Sequence, residues 1–430
     1  MNRNILRLAI PNIISNLTVP LLTIVDLHLM GYLDSATFMG AVALGGTIFN
    51  LVYWCFGFLR MSTGGLTAQS YGAGDKQESA TILSRGLLIT LFGSIFLLSL
   101  QVPIEKLSFL ILSGSDEVTE IARNYFYIRI WAVPAAIGMM VLNGWFIGMQ
   151  NSKYPMITSV VINIVNIAVS IYFVRVLGWE EKGVAAGSVI AQYIGLILSL
   201  FLLNKKYHKF LSLISIKKSL NLLELKSYMS ISSNIFVRTV CLVAVFTFFT
   251  SASASFGDIA LASNTALLQY LMLFSYFLDG FAYAAEAITG KFIGAKMKER
   301  LIESTNKLML WGVGFGVSFS MVYFFMGDKL MYVFTDEQDV ITYAGNFLNW
   351  VIILPVISFS SYIWDGIFIG ATASKSMRNS AIISTLVFFG IYYLLLNTIG
   401  NNALWLAMTL FMAVRGITLT VMSKKAIFSR

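Results

Sequence analysis

Two stretches of the sequence are near copies of each other: GWFIGMQNSK at residues 144–153 and GIFIGATASK at residues 366–375. The offset of 222 residues that relates them also holds, without a gap, back to residue 12. It aligns Asn12 with Asn234, Gly72 with Gly294, Lys76 with Lys298 and Asn124 with Asn346. Because one register persists over so long a stretch, the sequence predicts an internal duplication and a fold built from two related halves.

The composition indicates a membrane protein. Hydrophobic side chains make up 57% of the 430 residues, charged side chains make up 12%, and the mean hydropathy is +0.77. An ordinary soluble domain is about 25% charged and about 45–50% apolar, so this chain has too few polar residues to cover a water-soluble particle. With about 20 residues for each membrane helix, it has room for about twelve helices and short loops. A large extramembrane domain for catalysis or for nucleic-acid binding is therefore excluded.

Twelve apolar stretches are long enough to cross a bilayer as helices. They are continuously apolar, without the alternation of a membrane β-barrel, and helices satisfy the backbone within lipid. The sequence therefore predicts an all-α polytopic membrane protein with twelve transmembrane helices. The predicted spans are 8–30, 38–66, 83–103, 122–147, 156–177, 183–204, 228–252, 259–290, 304–326, 341–369, 377–399 and 402–422.

The duplication divides these helices into two six-helix bundles. Because six is an even number, both bundles cross the membrane in the same sense, as parallel repeats do in transporters that alternate access to a central cavity. We expect an N-terminal lobe of residues 1–204, a basic cytoplasmic linker of residues 205–222 and a C-terminal lobe of residues 223–430. The predicted architecture is thus two parallel-repeat bundles with a central cavity.

The distribution of charge predicts the orientation. The net charge is +9, and most Lys and Arg residues fall in loops on one side of the predicted helices, including the run from Lys205 to Lys226. The opposite loops carry acids, among them Glu105 and the pair Glu180 and Glu181. Since positive loops stay in the cytoplasm, both termini are expected there, in a multi-pass protein of the inner membrane. The basic linker is then a topological anchor rather than a patch for nucleic acid or anionic lipid.

Ionisable residues inside membrane spans are costly and by default mark a function. The candidates are Asp26, Arg60, Arg129, Arg238, Asp279, Glu286, Asp365 and Arg415. The duplication does not copy the acids: at the offset of 222, Asp26 aligns with Phe248 and Asp365 aligns with Asn143. Each half is therefore expected to have its own chemistry, with one bundle handling a coupling ion and the other helping to hold cargo.

The predicted ion-coupling site lies in the N-terminal half. Asp26 lies deep in the first helix, where a carboxylate can carry a proton or bind sodium. The fifth helix adds Asn163, Asn166 and Ser170 on one face, and the sixth helix adds Ser188. Their oxygens suit a small cation, which makes Asp26, Asn166 and Ser188 a candidate sodium site. The alternative interpretation is that these side chains only hydrogen-bond the helices to one another.

The predicted substrate site lies in the C-terminal half. Asp279, Tyr283 and Glu286 share one face of the eighth helix. Two carboxylates beside an aromatic ring would attract a lipophilic cation by charge and by cation–π interaction. The alternative is a structural ion pair of these acids with Arg238.

Three further charges lie inside predicted spans. Asp365, on the tenth helix, either lines the cavity as a further substrate-binding residue or pairs with Arg415. Arg60 and Arg415 lie toward the predicted cytoplasmic ends of their helices, where long side chains extend to the membrane surface. We therefore expect these two arginines to reach the membrane surface.

The sequence excludes several other classes of function. Two cysteines, Cys55 and Cys241, and two histidines, His28 and His208, do not make a disulfide framework or a His-rich metal site. The sequence has no paired catalytic groups and no nucleotide-binding G-x-x-x-x-G-K-[ST] motif. The protein is therefore expected not to be an enzyme, to need no cofactor beyond a coupling ion, H⁺ or Na⁺, and to bind no nucleic acid.

Three blocks of sequence resemble the multidrug and toxic compound extrusion (MATE) family, and within it the DinF-like branch. They are residues 11–31, which end in VDLHLMG, residues 54–69, WCFGFLRMSTGGLTAQ, and residues 278–286, LDGFAYAAE. The stretch GMQNSK at residues 148–153 is similar to the end of the family's fourth helix. The resemblance extends over essentially the whole chain.

The resemblance implies a V-shaped pair of six-helix lobes that exports amphipathic, often cationic organic compounds, driven by inward flow of protons or sodium ions. It places the family's ion-coupling residues on Asp26, Asn166 and Ser188. Family members often carry Asp where this chain has Ser170, and this loss of a carboxylate favours protons over sodium. The protein is therefore expected to be a secondary antiporter for a small organic molecule and to be a monomer. The alternative is a flippase for lipid-linked oligosaccharides or related amphiphiles, since such proteins share a related scaffold.

Overall fold

A computed structural model describes the backbone of residues 1–30, 36–112 and 114–429, with side chains except at residues 19, 21–24, 26–30 and 36. The described residues form helices without any strand, together with a 3₁₀ turn at Ile130–Ala132 and a π-helical turn at Tyr172–Val176. The helices are α1 (Asn2–Met30), α2 (Ala36–Gly72), α3 (Lys76–Ser99), α4 (Gln101–Ile111), α5 (Asp116–Arg129), α6 (Val133–Gly148), α7 (Lys153–Ile171), α8 (Glu180–Leu211), α9 (Ile216–Ser219), α10 (Leu222–Ala254), α11 (Asp258–Gly294), α12 (Lys298–Met331), α13 (Gln338–Gly345), α14 (Leu348–Gly370), α15 (Ser374–Ile399) and α16 (Asn401–Ala426).

The predicted spans correspond to long helices. In the described part of the chain, 11 helical segments are long and apolar enough to cross a membrane, one of them being α5 and α6 joined through the 3₁₀ turn. These segments match the second to the twelfth predicted spans, and α1, with 29 residues, covers the first. The prediction of an all-α polytopic membrane protein is therefore confirmed.

The tenth predicted span is wrong at its start. It was expected from residue 341, but α13 ends at Gly345 and α14 begins at Leu348. At the break, the Phe347 amide donates to the Ala344 carbonyl at 2.9 Å, a tight i to i−3 bond that ends α13. The hydropathy pattern misses this break because α13 is itself apolar on its buried face.

The chain divides into two compact units: residues 14–228, called the first unit, and residues 1–13 with 229–430, called the second unit. The predicted lobes and linker stay a prediction. The compact units differ from them by assigning residues 1–13 to the second unit and residues 205–228 to the first.

Helix α3 holds the linker within the first unit. Gln77 donates from Nε2 to the Leu213 carbonyl at 2.6 Å, and Arg85 donates from Nη2 to the Lys218 carbonyl at 3.4 Å. The buried Arg85 side chain also pairs with Glu224 at the start of α10. The linker is therefore a folded segment with defined contacts to α3.

In the first unit, α2 and α6 cross at two glycines. A Cβ on Gly144 would overlap the Arg60 carbonyl, and a Cβ on Gly148 would lie 2.7 Å from the Gly64 carbonyl oxygen. No other residue allows two helix backbones to approach so closely. These glycines therefore fix the spacing between α2 and α6.

The second unit repeats this crossing with α11 and α14. A Cβ on Gly366 would overlap the Ala282 carbonyl, and a Cβ on Gly370 would overlap the Glu286 carbonyl. Each of these four residues lies 222 positions after its counterpart in the first unit. The duplication predicted from sequence therefore extends to the helix crossing of each unit.

Turns with a left-handed backbone recur at the same offset. Side chains rarely adopt this conformation, so a shared position is not expected by chance. The pairs are Gly74 (φ 74°) with Lys296 (φ 55°), Gln150 (φ 60°) with Thr372 (φ 51°), and Gly178 (φ 67°) with Gly400 (φ 55°). The two halves therefore share turn geometry even where the residue type has changed.

Candidate functional site

Three of the predicted ion-coupling residues meet between α7 and α8. Asn166 donates from Nδ2 to the Ser188 hydroxyl at 3.1 Å, and the Ser170 hydroxyl donates to Asn166 Oδ1 at 3.0 Å. All three side chains are buried. The helices approach closely here because a Cβ on Gly187 of α8 would overlap the Ser170 hydroxyl. The structure thus brings Asn166, Ser170 and Ser188 into one hydrogen-bonded chain.

Arg129 of α5 adds a positive charge to these residues. Its Nη1 donates to the Tyr125 hydroxyl and to Ser188 Oγ, the latter at 3.5 Å, and its guanidinium carbon lies 5.5 Å from the centre of the Phe49 ring. The sequence identified Arg129 as a charge inside a span but assigned it no role, because most of its partners lie on other helices. The first-unit polar cluster is defined as Arg129, Asn166, Ser170 and Ser188.

Asn163 lies outside this cluster. It is on α7, and its Nδ2 donates to the Thr18 carbonyl of α1 at 3.1 Å, while the Thr18 hydroxyl lies 3.3 Å from that of Ser159. These contacts hold α1 against α7, which is the helix-to-helix bonding expected under the alternative interpretation. The ion-coupling role of Asn163 stays a prediction.

Asp26, the central residue of the predicted ion site, lies outside the described side chains. Its backbone belongs to α1, eight residues after Thr18, which is about two helical turns. The sodium site predicted at Asp26, Asn166 and Ser188 therefore stays a prediction. Among the residues whose side chains are described, no group of three or more His, Cys, Asp or Glu is placed to hold a metal ion.

Asp365 lies between two arginines in the second unit. Arg415 Nη2 of α16 lies 2.6 Å from Asp365 Oδ2, and Arg238 of α10 pairs with the same oxygen. All three residues are buried, and Arg415 exposes only 3% of its surface. The prediction that Arg415 reaches the membrane surface is wrong, because its guanidinium is held inside by the carboxylate. The second-unit ionic cluster is defined as Arg238, Asp365 and Arg415.

This cluster places one carboxylate against two guanidiniums. Arg238, the partner of the α11 acids under the alternative interpretation, pairs with Asp365 of α14. Tyr362, on the turn before Asp365, lies within electrostatic range of Asp365, Arg415 and Asp279. Tyr362 therefore interacts with both the cluster and Asp279 of α11.

The predicted cargo face of α11 becomes more buried along its length. Asp279 and Tyr283 are half-buried, whereas Glu286 is fully buried. Glu286 lies at the crossing of α11 with α14, where its carbonyl faces Gly370. Of the three residues, Asp279 and Tyr283 keep the exposed surface that contact with a bound molecule requires.

Comparison with known proteins identifies the family. The sequence pattern of the MatE family matches residues 11–172 and again residues 235–394. The chain belongs to the MatE family. The two MatE matches begin near the duplication offset, so each half of the chain carries the family pattern.

Relatives of this MatE protein match over nearly its whole length. DNA damage-inducible protein F of Escherichia coli (strain K12) is 36% identical over 422 residues, which cover 97% of this chain and 91% of that protein. Multidrug and toxin extrusion protein 1 of Homo sapiens is 24% identical over 435 residues, which cover 96% of this chain and 73% of that protein. The structure of a multidrug resistance MATE family transporter in an outward-facing conformation superposes with a TM-score of 0.88 at 19% identity, over 99% of this chain and 96% of that one.

These matches confirm the resemblance to the MATE family and to its DinF-like branch. MatE proteins are transporters, so the expectation that the chain is not an enzyme is also confirmed. The first-unit polar cluster and the second-unit ionic cluster are therefore candidate sites within a multi-pass membrane transporter.

Proposed function

We propose that the protein is a secondary antiporter of the cytoplasmic membrane that exports amphipathic organic compounds in exchange for protons, with both termini in the cytoplasm. Membership of the MatE family and the similarity to a bacterial DinF protein support the transport of small organic molecules and the inner-membrane location. The contact of Arg129 with Ser188 is the observation that carries the choice of the coupling ion.

The first-unit polar cluster favours a proton over sodium. A sodium ion at Asn166 and Ser188 would need oxygens that already accept hydrogen bonds from Ser170 and Asn166. It would also approach the guanidinium of Arg129, and like unit charges 4 Å apart repel by about 4 kcal/mol at an effective dielectric constant of 20. A proton on the Asp26 carboxylate needs no such set of oxygen ligands.

In the proposed cycle, Asp26 takes up a proton from the outer side. Protonation rearranges α1, lowers the affinity for cargo in the outward-open state and permits release, and return of the proton to the cytoplasm resets the transporter. The ion drives this cycle only if it binds the two conformations with different affinity. Contacts of α1 with α7 at Asn163 give such a rearrangement a direct connection to the helix that carries Asn166.

We assign cationic cargo to Asp279 and Tyr283 of α11. Both keep exposed surface, and a carboxylate with an aromatic ring on one helix face attracts a lipophilic cation. Asp365, predicted as a further cargo residue, is already neutralised by Arg238 and Arg415. Its proposed role is to join α10, α14 and α16.

A flippase for lipid-linked oligosaccharides is the second candidate. One observation favours it: the second-unit ionic cluster has two guanidiniums and one carboxylate, an excess of positive charge suited to a phosphate group. The carboxylates of Asp279 and Glu286 on α11 argue against an anionic cargo. The antiporter is therefore preferred.

Transport by inverted membrane vesicles tests the proposed function. Ethidium is supplied outside, and an acidic-inside pH gradient or a sodium gradient is imposed separately. Wild-type vesicles should accumulate ethidium under the pH gradient and not under the sodium gradient. Asp26→Asn should lower this rate at least tenfold, because the amide cannot carry a proton, whereas Asp336→Asn, which changes an exposed acid, should leave it unchanged.

Two outcomes would contradict the proposal. A wild-type rate in Asp26→Asn vesicles would remove Asp26 from the mechanism. Failure of wild-type vesicles to respond to either gradient would favour the flippase.

A further inference from the structure

Glu181 is a buried carboxylate that the proposed cycle does not use. The sequence pattern assigns it to an acidic outer loop, but it is the second residue of α8 and exposes only 3% of its surface. None of the ion pairs in the described part of the chain includes it. A buried ionisable residue in a membrane helix is costly and marks a function by default.

The π-helical turn at Tyr172–Val176 packs against the first turn of α8. The Trp179 amide donates to the Phe173 carbonyl at 3.0 Å, and a Cβ on Gly183 would lie 3.0 Å from the Phe173 Cβ. The π-helical turn begins directly after α7, two residues beyond Ser170. Single π-helical turns within helices are frequent at functional sites. The turn therefore connects the first-unit polar cluster to the start of α8.

The backbone next to Glu181 is strained. Glu180 has φ 47°, a left-handed conformation that is unfavourable for a residue with a side chain. Strain of this kind persists where the surrounding structure fixes it, often at functional sites. A cavity of about 550 Å³ opens at this point, lined by Ile128, Gly178, Trp179, Glu180, Lys182 and Ala186. Glu180 and Lys182, on either side of Glu181 in sequence, thus line a cavity of the first unit, whereas Glu181 itself is buried.

Glu181 and Ser188 lie seven residues apart on α8, about two turns along the same face. The residues between them on that face, Val184 and Ala185, are fully buried and apolar. Ser188 accepts hydrogen bonds from Asn166 and Arg129. One face of α8 therefore carries a carboxylate at its start and the first-unit polar cluster two turns later.

The charged groups that act on Glu181 lie on its own helix. Glu180 and Lys182 are both exposed and carry opposite charges, so their electrostatic effects on the Glu181 carboxylate oppose each other. Of the elements packed against the start of α8, α5 carries Arg129, which contacts Tyr125 and Ser188, and the π-helical turn carries the exposed Arg175. The neighbouring groups on α8 therefore largely offset each other, and a bound proton is the simplest way to remove the buried charge.

Resting on the proposed function, we propose that Glu181 is a second proton-binding carboxylate of the first unit, which exchanges protons with the predicted outer side when the start of α8 opens to water. Binding converts the carboxylate to the carboxylic acid, with no other bond formed or broken. The neutral acid favours the packed arrangement of α8 against the π-helical turn, and loss of the proton favours its opening to water. Because α8 also carries Ser188, this opening acts on the first-unit polar cluster.

Glu181→Gln tests this proposal, with Glu117→Gln as a matched control. Glu117 is also the second residue of its helix, α5, but it is exposed. Both variants therefore lose a carboxylate from the second position of a helix, where a negative charge is favourable. In the ethidium assay under a pH gradient, Glu181→Gln should lower the rate at least tenfold, and Glu117→Gln should stay within twofold of wild type.

A readout that needs no cargo separates proton binding from a structural role. Infrared difference spectra of the purified protein, taken between acidic and neutral buffer, should show carboxylic acid C=O bands, with one component that Glu181→Gln loses and Glu117→Gln retains. Glu181→Asp keeps the acid and fits the same space, so it should restore part of the transport rate at a shifted external pH.

The outcomes distinguish the two proposals. Wild-type transport and an unchanged acid band in Glu181→Gln would overturn the role of Glu181 and leave the antiporter intact. An unshifted pH dependence in Glu181→Asp would also overturn it, even if Glu181→Gln fails to fold. No response of the wild-type protein to a pH gradient would overturn both.

Discussion

In the first unit, α2 and α6 cross at Gly144 and Gly148, and in the second unit, α11 and α14 cross at Gly366 and Gly370. The polar residues of the two units differ far more. The first unit holds a chain of neutral hydrogen-bonding groups beside Arg129, whereas the second unit holds a buried carboxylate shared by two guanidiniums. A common backbone framework therefore carries two different kinds of polar cluster.

The alignment of the two halves shows at which positions the polar residues differ. At the offset of 222, Asn166 of the first-unit polar cluster aligns with Phe388, which is buried in the apolar core of the second unit. Asp365 aligns with Asn143 in the same way. The crossing glycines of α6 and α14 are the same in both halves, because a Cβ at these positions would overlap the facing backbone. Positions where a side chain fills the space between helices have been free to change chemistry.

The largest expected effect on stability comes from Asp365→Asn. The amide would leave two buried guanidiniums without a carboxylate, and breaking a buried ion pair from one side costs about 3–5 kcal/mol. The free energy of unfolding in detergent should fall accordingly, with Asp336→Asn as the exposed control in the same unit. A stability equal to that of the control would show that the ionic cluster does not hold α10, α14 and α16 together.

Alanine substitutions at the crossings should destabilise both units to a similar degree. In Gly144→Ala and Gly366→Ala, the added methyl group would overlap a carbonyl of the facing helix, and overpacking of this kind costs about 1–3 kcal/mol. Gly46→Ala and Gly314→Ala, where no atom lies near the added Cβ, serve as controls. Thermal unfolding of the four variants measures the difference. If only one crossing variant is destabilised, the two crossings are not equivalent.

The smallest expected effect on stability comes from Asn166→Ala in the first-unit polar cluster. The substitution removes neutral hydrogen bonds to Ser170 and Ser188, each worth about 1 kcal/mol. The loss in free energy of unfolding should therefore be well below that of Asp365→Asn. A loss as large as for Asp365→Asn would mean that the polar cluster, like the ionic cluster, is primarily a structural element.

Much of the fold was predictable from sequence because its signals are local. Apolar length located the helices, and the repeated GxFIG stretches with their common offset revealed the two halves. The break between α13 and α14 was missed because apolar residues lie on both sides of it. The assignment of residues 1–13 to the second unit was missed because it depends on the packing of Gly280 of α11 against Ala9 and Ile13.

The candidate site was predictable only in part. Asn166 and Ser170 are one turn apart, so their shared helix face follows from spacing alone. The partners of Asp365 are 127 and 50 residues away, and nothing in an apolar helix sequence specifies which arginine will meet which acid. Glu181 was assigned to the aqueous loop because an acidic pair beside a helix start is the usual pattern of an exposed end.

Contact between backbones at the paired glycines has a mechanical consequence. Side-chain rotamers can change during transport, but two helix backbones in direct contact have no side chain between them whose rotamer could change. Each pair, α2 with α6 and α11 with α14, should therefore move as one rigid body. Any bending within a unit then has to take place in the helices packed around that rigid pair.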